Sequence, residues 1–243
     1  MTVLALLLAA LTAGDPPPVG DVVDRFDTLY RSESSRASME MEIETEHWSR
    51  TLSMDVWTLG MEKTLIRITA PARERGTATL RVGDDMWNYL PGTNSVMRIP
   101  PSMMMGSWMG SHFTNDDLVR ETSYREDYDF AYTDWEEPGE DRLYVEMTPH
   151  ENAPVVWGRL VMAVRSDDLL PVWIRYYDED GGLHRTMRFL DYRKMGGRLI
   201  PAEMIIEPVE GEGSTVVRYR EAEFGVDLDD DLFTLRSLRS GGS

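Results

Sequence analysis

The chain has no cysteine. That absence removes a disulfide framework, a thiol nucleophile, a thiolate metal site and the acylated cysteine of a bacterial lipoprotein. It leaves the compartment open, because a chain of 243 residues can bury a large core without covalent staples. Basic residues are scarce too: 25 Lys and Arg stand against 43 Asp and Glu, for a formal net charge of −18. A nucleic-acid partner needs a basic face, so none is expected, and simple electrostatic attachment to anionic headgroups is disfavoured. With 42% hydrophobic residues the acidity is no sign of disorder.

Catalytic signatures are missing as well. The sequence holds no GxSxG elbow, GxGxxG loop or GxxxxGK loop. Its histidines (His47, His112, His150 and His184) stand singly, without zinc-site spacing. Two acidic runs resemble calcium loops and fail on geometry. Asp227–Asp231 has Leu232 where the loop needs glycine and Leu238 where it needs a bidentate glutamate; Asp178–Gly182 has Phe189 at the twelfth place. The adjacent acids Asp84–Asp85 and Asp116–Asp117 sit at a turn and a helix start. No metal, no cofactor and no enzyme are expected.

Only one long apolar run exists, Val3 to Leu11, too short to span a bilayer. Followed by "TAGDPPP", it fits the apolar region of a secretory signal over residues 1–14, although no Lys or Arg precedes it. The alternative is a buried N-terminal segment. Residues 15–243 read as one domain without an internal linker.

After Pro16–Pro18, apolar residues at 19, 22, 23, 26, 29 and 30 predict an amphipathic helix over Val19–Arg31. The period then changes. Met39, Met41 and Ile43 alternate with Glu40, Glu42, Glu44 and Glu46, the pattern of a half-buried strand. Further strand-like runs follow at short intervals to about residue 224, separated by turns such as Asp180-Gly181-Gly182 and Met195-Gly196-Gly197. The fold class expected is mainly β within α+β: a half-open, strongly curved antiparallel barrel of roughly 11 strands. The C-terminus, "DLDDDLFTLRSLRSGGS", reads as a soluble, glycine-rich tail.

One passage breaks the strand pattern: "IPPSMMMGSWMGSHFTNDDL", residues 99–118. Met103, Met104, Met105 and Met109, four of the sixteen methionines, surround Trp108 on Gly/Ser-spaced chain. Thr114 or Asn115 then caps a short helix whose aspartates suit its positive end. Methionine adapts to irregular apolar partners. The segment at about 100–120 reads as a mobile lid over an apolar cavity, with a fixed plug or a membrane-dipping loop as alternatives. Candidate cavity and lid residues are Trp57, Leu59, Arg67, Trp87, Tyr89, Met97, Met103, Met104, Met105, Trp108, Met109 and Phe113. Trp157, Met162, Trp173, Met187 and Met204 are further sheet-facing apolar positions, each of which alone reads as ordinary core.

The stretch "LRVGDDMWNYLPGTNSVMRIP" (80–100) resembles the periplasmic lipoprotein carriers of the LolA/LolB type, and more closely the outer-membrane lipoprotein-sorting branch related to them. Val82, Gly83, Asp84, Trp87, Tyr89 and Pro91 carry the likeness, with "FTNDDL" (113–118), "FLDYRKMGGRLIPAEMIIE" (189–207) and "DDDLFTL" (229–235). The resemblance implies a half-open barrel around a lid of short helices, with a cavity for the acyl chains of a lipid or lipoprotein. It implies a soluble periplasmic shuttle that makes transient membrane contact. The expected donor is an inner-membrane exporter of the resistance-nodulation-division type. It also implies a strand arginine that holds the lid closed, for which Arg67 is the positional candidate. Two rivals stand beside the carrier: a filled-barrel envelope protein that binds a protein partner, and a hydrolase using an acidic pair.

Overall fold

The computed structural model describes residues 15–120, 124–136, 139–151, 153, 155–211 and 213–240. The proposed signal, residues 1–14, lies outside them. A short helix α1 (Val19–Asp27) leads into strands β1 (Ser34–Thr45), β2 (Ser49–Leu59), β3 (Lys63–Ala70), β4 (Ala78–Val82), β5 (Asp85–Leu90) and β6 (Ser95–Arg98). An excursion with 3₁₀ turns at Pro101–Met103 and Trp108–Gly110 follows, then helices α2 (Asn115–Arg120) and α3 (Tyr124–Asp127). The second run of strands is β7 (Tyr128–Tyr132), β8 (Arg142–Pro149), β9 (Arg159–Arg165), β10 (Pro171–Tyr177), β11 (Leu183–Met195), β12 (Arg198–Pro208) and β13 (Gly213–Phe224). A 3₁₀ turn at Asp230–Phe233 and helix α4 (Leu235–Ser240) end the description.

All thirteen strands form one sheet in the order β6-β5-β4-β3-β2-β1-β13-β12-β11-β10-β9-β8-β7, and the neighbours whose register is resolved pair antiparallel. Every neighbouring pair but one joins strands consecutive in sequence. The exception is β1 with β13, which brings the two ends of the chain together at the middle of the sheet. The strand count therefore exceeds the eleven read from the sequence. The sheet does not close: β6 and β7 are its two edges, and the Met-rich excursion is the connection between them.

The sheet curls so that residues of β1–β3 and of β8–β13 share one apolar cluster, which we call the inner face. Met54 and Val56 of β2 and Ile66 and Ile68 of β3 belong to it together with Met147 of β8, Leu160 and Met162 of β9 and Ile206 of β12. Helix α1 lies on that cluster through Val22, Val23 and Phe26. It stops at Asp27, four residues short of the predicted end. The Thr28 hydroxyl bonds back to the Asp24 carbonyl, so Leu29 turns into the core and Tyr30 stacks on Tyr219 at 4.9 Å.

The outer face of the first run of strands carries a second cluster. Trp57, Leu65, Leu80 and Trp87 stand opposite one another across β2, β3, β4 and β5. Such cross-strand pairs are the unit from which a sheet gains stability. Leu228, Leu232, Phe233 and Leu238 cover them, and Phe233 and Leu238 are buried. The C-terminal segment is thus a cover rather than a free tail, as far as residue 240.

Candidate functional site: a lidded cavity on the inner face

The excursion after β6 folds compactly across the inner face. Within it the backbone amides of Asn115 and Asp116 donate to the carbonyls of Gly106 and Met104, and the Trp108 amide donates to Phe113. A side chain on Gly106 would meet the Met103 carbonyl at 2.9 Å, so glycine is needed for this close approach. Met109 takes a left-handed conformation at φ 53. Helix α2 starts in a reciprocal cap: the Thr114 hydroxyl accepts from the Asp117 amide at 3.1 Å, and the Asp117 carboxylate accepts from the Thr114 amide at 2.7 Å. The sequence placed this start at Thr114 or Asn115, and Thr114 is the cap.

Polar contacts pin the excursion to four separate strands, the first of them from the Arg50 guanidinium on β2 to the Met109 carbonyl. Trp108 Nε1 donates to the Thr79 hydroxyl on β4 at 3.0 Å. His112 meets the Thr215 hydroxyl on β13 through its amide at 3.0 Å and its Nδ1 at 2.8 Å. Asp117 makes a two-pronged ion pair with Arg185 on β11, one prong measuring 2.8 Å. That pair is buried, and the Arg185 guanidinium is flanked by Tyr176 at 4.2 Å and Trp157 at 4.6 Å. Burial alone would push the Arg185 pKa down. The Asp117 carboxylate more than offsets it, so the guanidinium is held charged. Burial lowers the His112 pKa and favours its neutral ring. Arg185 Nε is buried without a hydrogen-bond partner.

Beneath this cover the inner face is not completely filled. One hollow of about 90 Å³ is lined by Met39, Met41, Met54, Val56, Ile66 and Val217 and roofed by Trp108 and Phe113. A second, of about 60 Å³, abuts it and shares Tyr30, Arg31 and Met204. Its other walls include Asp27, Tyr124, Tyr128, Trp157 and Tyr176. Both spaces can hold several waters. Neither holds an extended acyl chain without displacement of the roof.

The residues singled out from the sequence divide into three groups. Trp108 and Phe113 are buried and roof the cavity, and Met104 and Met109 pack half-buried on the inner cluster. Met103, Met105 and Met97 are exposed, at 54%, 47% and 47%. Trp57, Leu59, Trp87 and Tyr89 belong to the outer cluster, away from the cavity. Arg67 lies on that outer side as well. Its guanidinium donates to the carbonyl of Ser237 at 3.0 Å, so it fastens the C-terminal cover. The strand arginine that meets the lid is Arg185.

Of the other sheet-facing positions, Trp157, Met162, Met187 and Met204 are in the inner cluster, while Trp173 packs at a tilt against Trp135 and Tyr144 elsewhere. Sequence reading missed Asp27, Thr79, Arg185 and Thr215, and took Asp117 only as part of a helix start. A parity signal existed for two of them. Arg185 shares a face with Met187 and Phe189, and Asp27 sits four residues after Val23 on the apolar stripe of α1.

Three solved structures share this architecture. A DUF1329 family protein from Desulfovibrio piger matches with a TM-score of 0.82 at 27% identity, over 90% of this chain and 96% of that one. A protein domain from Vibrio parahaemolyticus described as outer membrane lipoprotein-sorting gives 0.77 at 24% identity, over 90% and 97%. The LolA superfamily protein NE2245 from Nitrosomonas europaea gives 0.75 at 22% identity, over 90% and 98%. No curated protein matches the sequence. A family model described only as "-like: Uncharacterized protein" matches residues 60–240. The chain belongs to that family, and its fold is the one shared by the lipoprotein-sorting domain and the LolA superfamily protein.

Proposed function

We propose that this protein is a periplasmic carrier that takes up the acyl chains of a lipid or lipoprotein beneath the lid. The observation that carries the reading is the pairing of an incompletely filled, methionine-lined cavity with a roof tied to four strands by polar contacts. Such contacts have a near-equal alternative in water, so they release at modest cost, whereas a fully interdigitated apolar plug does not. Each methylene transferred into the cavity contributes about 0.8 kcal/mol, so affinity is easily supplied. Release is the harder half of the task, and a lid with two arrangements provides it. No catalytic step is needed. Export by the N-terminal signal, transient membrane contact and an inner-membrane exporter of the resistance-nodulation-division type as donor belong to the same reading.

A second reading, a filled-barrel envelope module that binds a protein partner, draws on the small cavity volume and the burial of Trp108. One experiment separates the two. The chain has no native cysteine, so His112→Cys with Thr215→Cys places a single reversible lock between lid and β13. A carrier stops taking up a fluorescent fatty acid when oxidised and resumes when reduced. Absence of uptake in either state, with no lipid in organic extracts of the purified protein by mass spectrometry, refutes the carrier.

A further inference from the structure

The two abutting hollows differ in chemistry. The one beneath Trp108 is mainly apolar, with Arg31, Ser35, Thr58 and Thr64 on one side and no carboxylate in its lining. The other carries Asp27, Asp116, Asp117 and Asp127 in its lining, with Arg31 among them and the Arg125 guanidinium near enough to act on Asp27. Asp117 is engaged by Arg185, and the Arg31 guanidinium donates to the Thr64 hydroxyl at 3.1 Å. Asp27 stands apart. It is 9% exposed, on the apolar stripe of α1, and its Oδ1 is buried with no hydrogen-bond partner. A buried carboxylate oxygen left unpaired costs about 1–3 kcal/mol or more, so its persistence needs a reason. Around it stand the rings of Phe26, Tyr124 and Tyr128, with Phe26 and Tyr124 at 5.5 Å and Tyr124 and Tyr128 at 5.9 Å.

We infer that this second hollow is a head-group site for a protonated amine, with Asp27 as its counter-ion and the apolar hollow next to it taking the attached chain. The inference rests on the carrier reading and specifies the cargo class. An orphan acceptor calls for a donor, and an ammonium supplies N–H groups together with the charge that the carboxylates favour. Aromatic rings beside a carboxylate are also a favourable setting for an ammonium or alkylammonium group. A hydroxyl head group would satisfy the hydrogen bond without the charge. A carboxylate or phosphate head group would meet like charge.

The test compares three amphiphiles of equal chain length, decylamine, decanol and decanoate, in displacement of a neutral fluorescent lipid probe from the full chain at pH 8. Decylamine is expected to bind about ten-fold tighter than decanol, the equivalent of one charge-assisted hydrogen bond, with decanoate weakest. Asp27→Asn should bring decylamine to within about two-fold of decanol. If that variant does not fold, the wild type decides. Its amine preference should shrink between pH 8 and pH 5.5, where Asp27 takes up a proton while ordinary carboxylates stay ionised.

Equal affinity for amine and alcohol in the wild type at pH 8 overturns the inference and leaves the carrier intact. So does a preference that survives both Asp27→Asn and pH 5.5. Failure of all three amphiphiles to displace the probe, when the probe itself does not bind, overturns both.

Discussion

The two faces of the sheet solve different problems with similar residues. On the outer face of β2–β5, Trp57, Leu65, Leu80 and Trp87 form a row that the C-terminal segment covers, and Arg67 there has partners in two backbone carbonyls. On the inner face, equally apolar residues leave hollows, an unpaired carboxylate oxygen on Asp27 and an unpaired Nε on Arg185. Apolar content does not distinguish a binding face from a structural one. The outer face also has a cleft, larger and more open, beside Trp57, Arg67 and Leu232; what marks the inner face is roofed space together with an unpaired buried carboxylate oxygen, which a well-packed interior does not tolerate without cost.

The largest effect should come from breaking the inner latch on one side only. Asp117→Ala leaves the Arg185 charge buried without its partner and also removes half of the α2 cap, an expected loss of about 3–5 kcal/mol in urea unfolding. Asp117→Leu with Arg185→Met should recover most of that loss, since it removes both charges together. The recovered protein should then take up a fluorescent fatty acid faster than the wild type, because the lid has lost a closing contact.

Asp27 gives an effect of opposite sign. Burial raises its pKa from 3.8 to about 7, with Asp24 adding to the rise and Arg125 and the backbone amides of Arg125 and Tyr124 opposing it. Arg31 and the carboxylates of Asp116, Asp117 and Asp127 share the same hollow. The native state therefore binds more protons than the unfolded chain between these two values. Stability must fall as pH rises through that window and level off above it. Asp27→Asn should remove this slope and stabilise the protein at pH 8 by at most about 4 kcal/mol, read from unfolding midpoints at pH 4, 6 and 8.

The outer face offers the contrasting control. Leu238→Ala removes a fully buried side chain from the cover, an expected loss of about 2–3 kcal/mol. That is the low end for such changes, because a segment near the end of the chain can relax. Acyl-chain uptake measured well below the melting temperature should be unchanged. A parallel loss of uptake would mean that the two faces are not independent.

These contrasts show where the sequence was legible. Alternation in Met39–Glu46, the change of period after α1 and the Thr114 cap are local signals, and each appears where it was read. The assignment of faces was not local. In "KTLIRIT" both parities are apolar or long-chained, so alternation separates Leu65 and Arg67 from Ile66 and Ile68 without saying which pair faces inward. That depends on how the whole sheet curls and on what covers its other side. The family resemblance points to Arg67 by its position along the chain, and position does not say which face it takes. Arg185, which does pair with the 100–120 segment, stands on the inward parity of "LHRTMRF" and draws its partner from 68 residues away. The run read as strand from Tyr124 instead begins as α3 and continues as the edge strand β7.

The smallest effect on stability belongs to the methionines themselves. Met103 and Met105 are about half exposed, whereas Met104 and Met109 pack on the inner cluster. Replacing both Met103 and Met105 by Ser should change stability by less than about 0.5 kcal/mol, as surface substitutions usually do. Equilibrium affinity for a fatty acid should also hold, since neither side chain lines the hollows. Exposed flexible apolar side chains on a lid suit brief contact with another apolar surface. The transfer rate of a bound fluorescent lipid to neutral vesicles should therefore fall several-fold in the double variant while its affinity does not. An unchanged rate would leave Met103 and Met105 without a part in delivery and confine the lid's role to its buried side, where Trp108, Phe113, Met104 and Met109 meet the cavity and its wall.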